Sequence, residues 1–180
     1  MNHLGTVELE SERLKLRRFK LDDAEEIFNG FVNQDGFLYY ANKKKRTLEE
    51  EIKSLEGIEL KYENNSYYNW LITLKETGQI IGSINLRVEE KNETVEFNYA
   101  IDNRYSSKGY MTEALELVKD FSLNSLKVNR FQGGCVITNT ASKRVMEKCG
   151  MTCEGILRNY ILLNDGYHDM YMFSIINENK

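Results

Sequence analysis

The stretch "YSSKGYMTEA", residues 105–114, sets Ser106, Ser107, Lys108 and Gly109 directly before a strong helical pattern. Tyr110, Met111 and Thr112 would form the first turn of that helix. The first N–H groups of a helix lack internal partners, and the peptide dipoles place about half a positive charge there. Small residues let a ligand approach the backbone closely. Lys108 and Arg104 add positive charge. On these residues alone the loop is either a surface turn or a phosphate seat. It is neither a P-loop nor a dinucleotide fingerprint, because the further glycines of those motifs are absent.

Other groups with chemical potential are few. Cys135, Cys149 and Cys153 are odd in number and read as free thiols, and with only His3 and His168 beside them no metal-ligand set is expected. Asn139 opens "NTASKRVMEKCG", a short helix closed by Gly150, and reads as its N-cap. In "TVEFNYAI", Val95, Phe97, Tyr99 and Ile101 share one face of a strand, with Glu96, Asn98 and Ala100 on the other.

These groups need a scaffold. Residues 7–19 alternate as one half-buried strand, and "LDDAEEIFNGF" reads as a helix with Asp22 as its cap. "TLEE" at 47–50 is a capping box opening a second helix. Three β-rich runs follow at 67–74, 79–88 and 94–101. The helix after the loop carries Met111, Ala114, Leu115, Val118 and Phe121 on one stripe. A buried strand over 130–138, the short helix, and two strands flanking "NDG" complete the chain. The expected order is βααβββαβαββ, an α/β fold with a mixed sheet, in one domain over residues 1–180.

Composition narrows the partners. The chain has 180 residues, is 41% hydrophobic and 29% charged, and carries a formal charge of −4. That balance argues against nucleic acid as the main partner and permits a cationic or amine substrate. The basic run Lys43–Arg46 reads as a solvated face. No apolar run approaches membrane-spanning length and Met1–Glu12 lacks an apolar leader core, so no membrane partner and a cytoplasmic location are expected.

"VEFNYAIDNRYSSKGYMTEAL", followed some thirty residues on by "NTASKRVMEKCGM", resembles the GNAT acetyltransferase superfamily. More narrowly it resembles the RimJ/RimL-type branch, with "ESERLKLRRF" as its first strand and "GILRNYILLNDGYHDMYMFSII" as its closing hairpin. The similarity spans residues 7–176. It implies a mostly antiparallel sheet splayed at the strand over 94–101, with a bulge at Asn98. It also implies acetyl-CoA as cosubstrate, with no metal. The acyl-CoA loop of the family lies over Ser106, Ser107, Lys108, Gly109, Tyr110 and Met111. Gly109 matches its pattern; Ser106 stands for a Gln or Arg, and Met111 for a small residue.

The resemblance further implies that Tyr99, Ala100 and Ile101 hold the pantetheine arm by backbone hydrogen bonds, with Thr112 and Asn139 also near the cofactor. The tyrosine that many members use as proton donor is replaced by Met146; the branch has a serine at Ser142, which becomes the candidate donor to the thiolate. A plain first-turn serine is the alternative. Glu96 is the candidate base, Glu154 a second choice. His168 and Asp169 could line the acceptor pocket, as could Phe37, Tyr39, Tyr40 and Tyr68, whereas Trp70 reads as core. The implied activity is direct acetyl transfer to a primary amine: a protein N-terminus, such as that of a ribosomal protein, or a small-molecule amine. A non-catalytic acyl-CoA-binding protein of the same fold is the alternative. Monomer and homodimer are both compatible.

Overall fold

The computed structural model describes residues 1–32 and 47–178. Strands β1 (Leu9–Glu10), β2 (Leu14–Arg17), β3 (Tyr68–Leu74), β4 (Ile80–Glu89), β5 (Thr94–Ile101), β6 (Arg130–Val136), β7 (Thr152–Leu163) and β8 (Gly166–Ile176) form one sheet in the order β1-β2-β3-β4-β5-β6-β8-β7. Helices α1 (Ala24–Ile27), α2 (Leu48–Lys61), α3 (Tyr110–Asp120) and α4 (Thr140–Lys148) cover it. Every pairing is antiparallel except β5 with β6. The expected α/β fold with a mostly antiparallel sheet is present.

The parallel pair creates the opening that a site needs. β5 and β6 are in register only over Thr94–Glu96 and Arg130–Gln132, and beyond Glu96 they part. The apolar stripe of α3 explains the packing behind the gap. Met111, Ala114, Leu115 and Val118 are buried against Val95, Phe97 and Phe131. At about 25 cal/mol per Å² of apolar area, this core is the main force holding α3 to the sheet. A second cluster, with Ile27, Leu55, Leu71 and Ile80, packs α1 and α2 on the other face.

Three expectations need correction. Residues 7–19 are two short strands rather than one: Ser11 N–H donates to the Leu14 carbonyl (3.0 Å) and turns the chain between them. Asp22 does not cap the first helix; Asp23 accepts from Lys20 N–H at 2.7 Å and pairs with Arg17, and α1 proper spans four residues after a 3₁₀ turn. No bulge occurs at Asn98. The β4–β5 register runs unbroken through Asn85 opposite Asn98, so the splay is made entirely on the β6 side. The Thr47–Glu50 capping box is formed as read, with bonds of 3.2 and 2.9 Å. The "NDG" hairpin is also present, with Leu163 opposite Gly166.

Candidate active site

The loop after β5 is held from two sides. Asp102, buried at 1% exposure, accepts from the Arg104 N–H (2.8 Å) and its guanidinium (2.6 Å), capping a 3₁₀ turn over Asn103–Tyr105. Burial alone would raise the Asp102 pKa; the Arg104 contacts outweigh it and hold the carboxyl below its ordinary 3.8. Arg104 is thus spent on Asp102 and does not face an anion seat. The second support reaches from the β1–β2 turn. Arg13 Nε donates to Glu113 at 2.7 Å, its Nη1 donates to the Lys108 carbonyl at 3.2 Å, and its guanidinium lies 4.5 Å over the Tyr110 ring. Ser11 Oγ donates to the same Glu113 carboxylate at 2.5 Å.

Between these supports the backbone turns sharply. Ser107 (φ 61°) and Gly109 (φ 83°) both adopt the left-handed conformation, and Gly109 is the residue immediately before α3. A side chain at 109 would be strained whatever the space around it. The turn leaves the N–H groups of Tyr110, Met111 and Thr112 at the open end of α3, where no intrahelical carbonyl precedes them.

That helix end opens on a cavity of about 440 Å³. Of the expected cofactor residues, Tyr99, Ile101, Ser106, Ser107, Gly109, Tyr110, Met111, Thr112 and Ser142 line it. Ala100 points to the opposite sheet face and is buried there. Lys108 places Nζ 5.3 Å from the Tyr105 ring centroid. Asn139 acts as the N-cap of α4, accepting from Ser142 N–H at 3.0 Å. Tyr99 stacks on Phe97 (centroids 5.9 Å, 3° apart) and donates to the Ser142 carbonyl at 3.4 Å. Burial pushes the Tyr99 pKa well above the usual tyrosine value. Met146 is fully buried in the core and offers no proton.

The carboxylates lie elsewhere. Glu96 sits at the last paired position of β5 and β6, on the sheet face away from the cavity lining. It pairs with Arg87 at 2.8 Å and accepts from Gln132 at 3.5 Å. Glu154 pairs with Arg130 and accepts from Ser174 at 2.7 Å, and the Arg130 and Ser174 hydrogen bonds lower its pKa to about 2. Such a carboxylate is a poor proton acceptor near neutrality. His168 contacts Asp165 at 2.7 Å on the hairpin, and Asp169 accepts from Asn159 N–H at 2.9 Å. Tyr68 is a core residue packed with Trp70 and Phe121, so it forms no acceptor wall. Phe37, Tyr39, Tyr40 and the Lys43–Arg46 run lie outside the described residues.

Six cavity residues escape the sequence reading, Tyr105, Thr140, Ala141, Arg144, Val145 and Lys148; of these, Arg144 and Lys148 are cations four apart on α4. Their signal was present as an i, i+4 pair following Ala141 and Thr140, but the neighbouring Lys143–Glu147 pair gives the whole helix the look of a solvated face. Burial raises the thiol pKa of Cys135 to about 11 and of Cys149 to about 12, so both are neutral, and all three cysteines are free. Among the described residues no three His, Cys, Asp or Glu side chains gather as a metal site, and no helix is long and apolar enough to cross a membrane.

Splayed strands beside an open helix end thus bring unpaired extended backbone and free N–H groups to one cavity. The sequence signature of the acetyltransferase (GNAT) domain matches residues 13–152, and the chain belongs to that family. It is 28% identical over 169 residues to the uncharacterized N-acetyltransferase YoaA of Bacillus subtilis (strain 168), covering 93% of this chain and 96% of that one. It is also 28% identical over 129 residues to the ribosomal-protein-serine acetyltransferase of Escherichia coli (strain K12), 71% of each chain. The crystal structure of a GNAT-family acetyltransferase from Bacillus anthracis superposes with a TM-score of 0.83 at 25% identity, over 96% of this chain and all of that one. The protein is an acyltransferase that moves acetyl from acetyl-CoA to an amine.

Proposed function

We propose that the chain transfers acetyl directly to the α-amine of a protein N-terminus, without an acyl-enzyme stage. The supporting observation is the continuity of one cavity from the α3 N-terminus to Tyr99 and Ser142 beside the split between β5 and β6. Acetyl-CoA supplies the activated acyl group and a thiolate leaving group.

The chain then has four tasks. The N–H groups of residues 110–112 hold the diphosphate, helped by the two left-handed loop residues. The β5 backbone at Tyr99–Ile101, unpaired on the β6 side, holds the pantetheine arm. Ser142 donates a hydrogen to the departing sulfur. Glu96, on the opposite sheet face where β5 and β6 begin to part, takes through water the proton that the attacking amine loses. Holding both reactants in one cleft supplies several kcal/mol of the acceleration.

The acceptor's own pKa favours an α-amine. An α-amine (pKa about 7.7–8.0) is roughly one-tenth neutral at pH 7, whereas a lysine or alkylamine near 10.4 is below about 0.1% neutral. At neutral pH a protein N-terminus therefore offers far more of the attacking neutral amine than a polyamine or lysine does. The ribosomal-protein-serine acetyltransferase among the relatives points the same way. The test offers acetyl-CoA with a peptide bearing a free N-terminal Ser, the same peptide blocked at its N-terminus but containing Lys, and a polyamine. Fragment mass spectra should place acetyl on the α-amine alone. Turnover confined to the polyamine would overturn the assignment.

A further inference from the structure

A polar row crosses the sheet where the split begins. Arg87, Glu96, Gln132 and Ser174 stand directly opposite one another on β4, β5, β6 and β8, so their side chains share one face. Glu96 and Gln132 are the last partners of β5 and β6 before those strands part. The row is hydrogen-bonded along its length. Ser174 Oγ donates to Glu154 Oε1 at 2.7 Å, and Arg130 Nη1 donates to the same oxygen at 2.8 Å. Arg130 Nε donates to Gln132 Oε1 at 2.5 Å. A guanidinium can only donate, so the amide oxygen of Gln132 faces Arg130 and its NH2 group faces Glu96.

That NH2 group approaches Glu96 Oε2 at 3.5 Å from β6, and Arg87 Nη2 donates to the same oxygen at 2.8 Å from β4. Both donors thus take one oxygen of the carboxylate. Among the described residues Glu96 Oε1 has no partner, and since none of their buried side-chain oxygens lacks one, Oε1 is open to water. At 3.5 Å the Gln132 contact is long, so it restrains Glu96 more than it stabilises the fold. An amide also orients the carboxylate without adding a second ion pair to it. We propose that Gln132 is a positioning residue: with Arg87 it holds Oε2 of Glu96 and leaves Oε1 to receive the proton. The N–H bond of the attacking amine breaks, water passes the proton on, and an O–H bond forms at Oε1. This rests on Glu96 being the base.

A double-variant cycle tests it, read in steady-state acetyl transfer by the full chain to a peptide with a free N-terminal Ser at pH 6–7. Gln132→Met keeps the length of the side chain and removes both polar groups. It should lower kcat about three- to tenfold, the scale of one intramolecular hydrogen bond, with KM for acetyl-CoA within about twofold. In a Glu96→Gln background the same change should cost less than about twofold, because no base is left to aim. Arg87→Met changes a side chain that is 73% exposed, so it leaves the core intact, and it should show the same dependence on Glu96. Equal losses in both backgrounds, for either variant, would make the row a structural feature only and overturn the proposal. An impaired Glu96→Gln beside a fully active Gln132→Met would overturn the positioning role alone. A fully active Glu96→Gln would instead remove the base itself, and the positioning role with it.

Discussion

The Tyr99 hydroxyl donates to the Ser142 carbonyl across 3.4 Å, joining the splayed part of β5 to the first turn of α4. The contact is long for an O–H···O bond, so its worth lies in placement more than in stability. Because burial pushes the Tyr99 pKa far up, the phenol keeps its proton throughout any working range. Tyr99→Phe keeps the ring stacked on Phe97 and removes only the hydroxyl. We expect a stability loss below about 1 kcal/mol and a several-fold fall in kcat, with acetyl-CoA affinity within about twofold. Unchanged kcat in steady-state assays would show that Ser142 needs no such support.

The Arg13–Glu113 contact should act on affinity instead. Arg13 joins the Lys108 carbonyl to the Glu113 carboxylate, fixing the loop that turns at Ser107 and Gly109. Arg13→Ala should weaken acetyl-CoA binding about tenfold, the worth of one charge-assisted bond, with kcat at saturation little altered. A KM that stays put while kcat collapses would contradict this division.

Ser142→Ala and Glu96→Gln separate the two proton tasks. The first should lower kcat by about 10- to 100-fold at every pH, the usual range for a lost proton donor. The second should cost most at pH 6–7, where the acceptor is an ammonium ion. Above the α-amine pKa of about 8 the deficit should shrink, because the amine no longer needs a base. A pH-independent deficit in kcat/KM would remove Glu96 from that role.

Glu154 predicts an acid limit to stability. Its pKa is near 2 in the fold against an ordinary 4.5, mainly through the Arg130 hydrogen bond. A depressed carboxyl stabilises the folded state above its unfolded pKa, and that contribution drains away as pH falls from 4.5 toward 2. The Tm difference between wild type and Glu154→Gln should therefore be constant above about pH 5.5 and narrow steadily below 4.5. A difference that grows on acidification would reverse the assignment.

What the sequence made legible follows physical range. The α3 stripe, the Thr47–Glu50 box and the "NDG" hairpin are local patterns, and all three appear as read. The break between β1 and β2 was illegible because no turn residue marks it more strongly than Ser11, whose hydroxyl is bound by Glu113, 102 positions away. Arg104 looked available for an anion until Asp102, two residues back, was found to hold it. Arg144 and Lys148 carried the right spacing, yet only the fold shows which face of α4 meets the cavity.

The central claim is that the cavity between the α3 terminus and Ser142 seats acetyl-CoA. Isothermal titration of the purified full chain tests it most directly. The account predicts one site per chain with a dissociation constant in the micromolar range or tighter, about −8 kcal/mol or better, lost on Gly109→Val, which closes the left-handed turn. Absence of binding by the wild type, or equal binding by Gly109→Val, would contradict it.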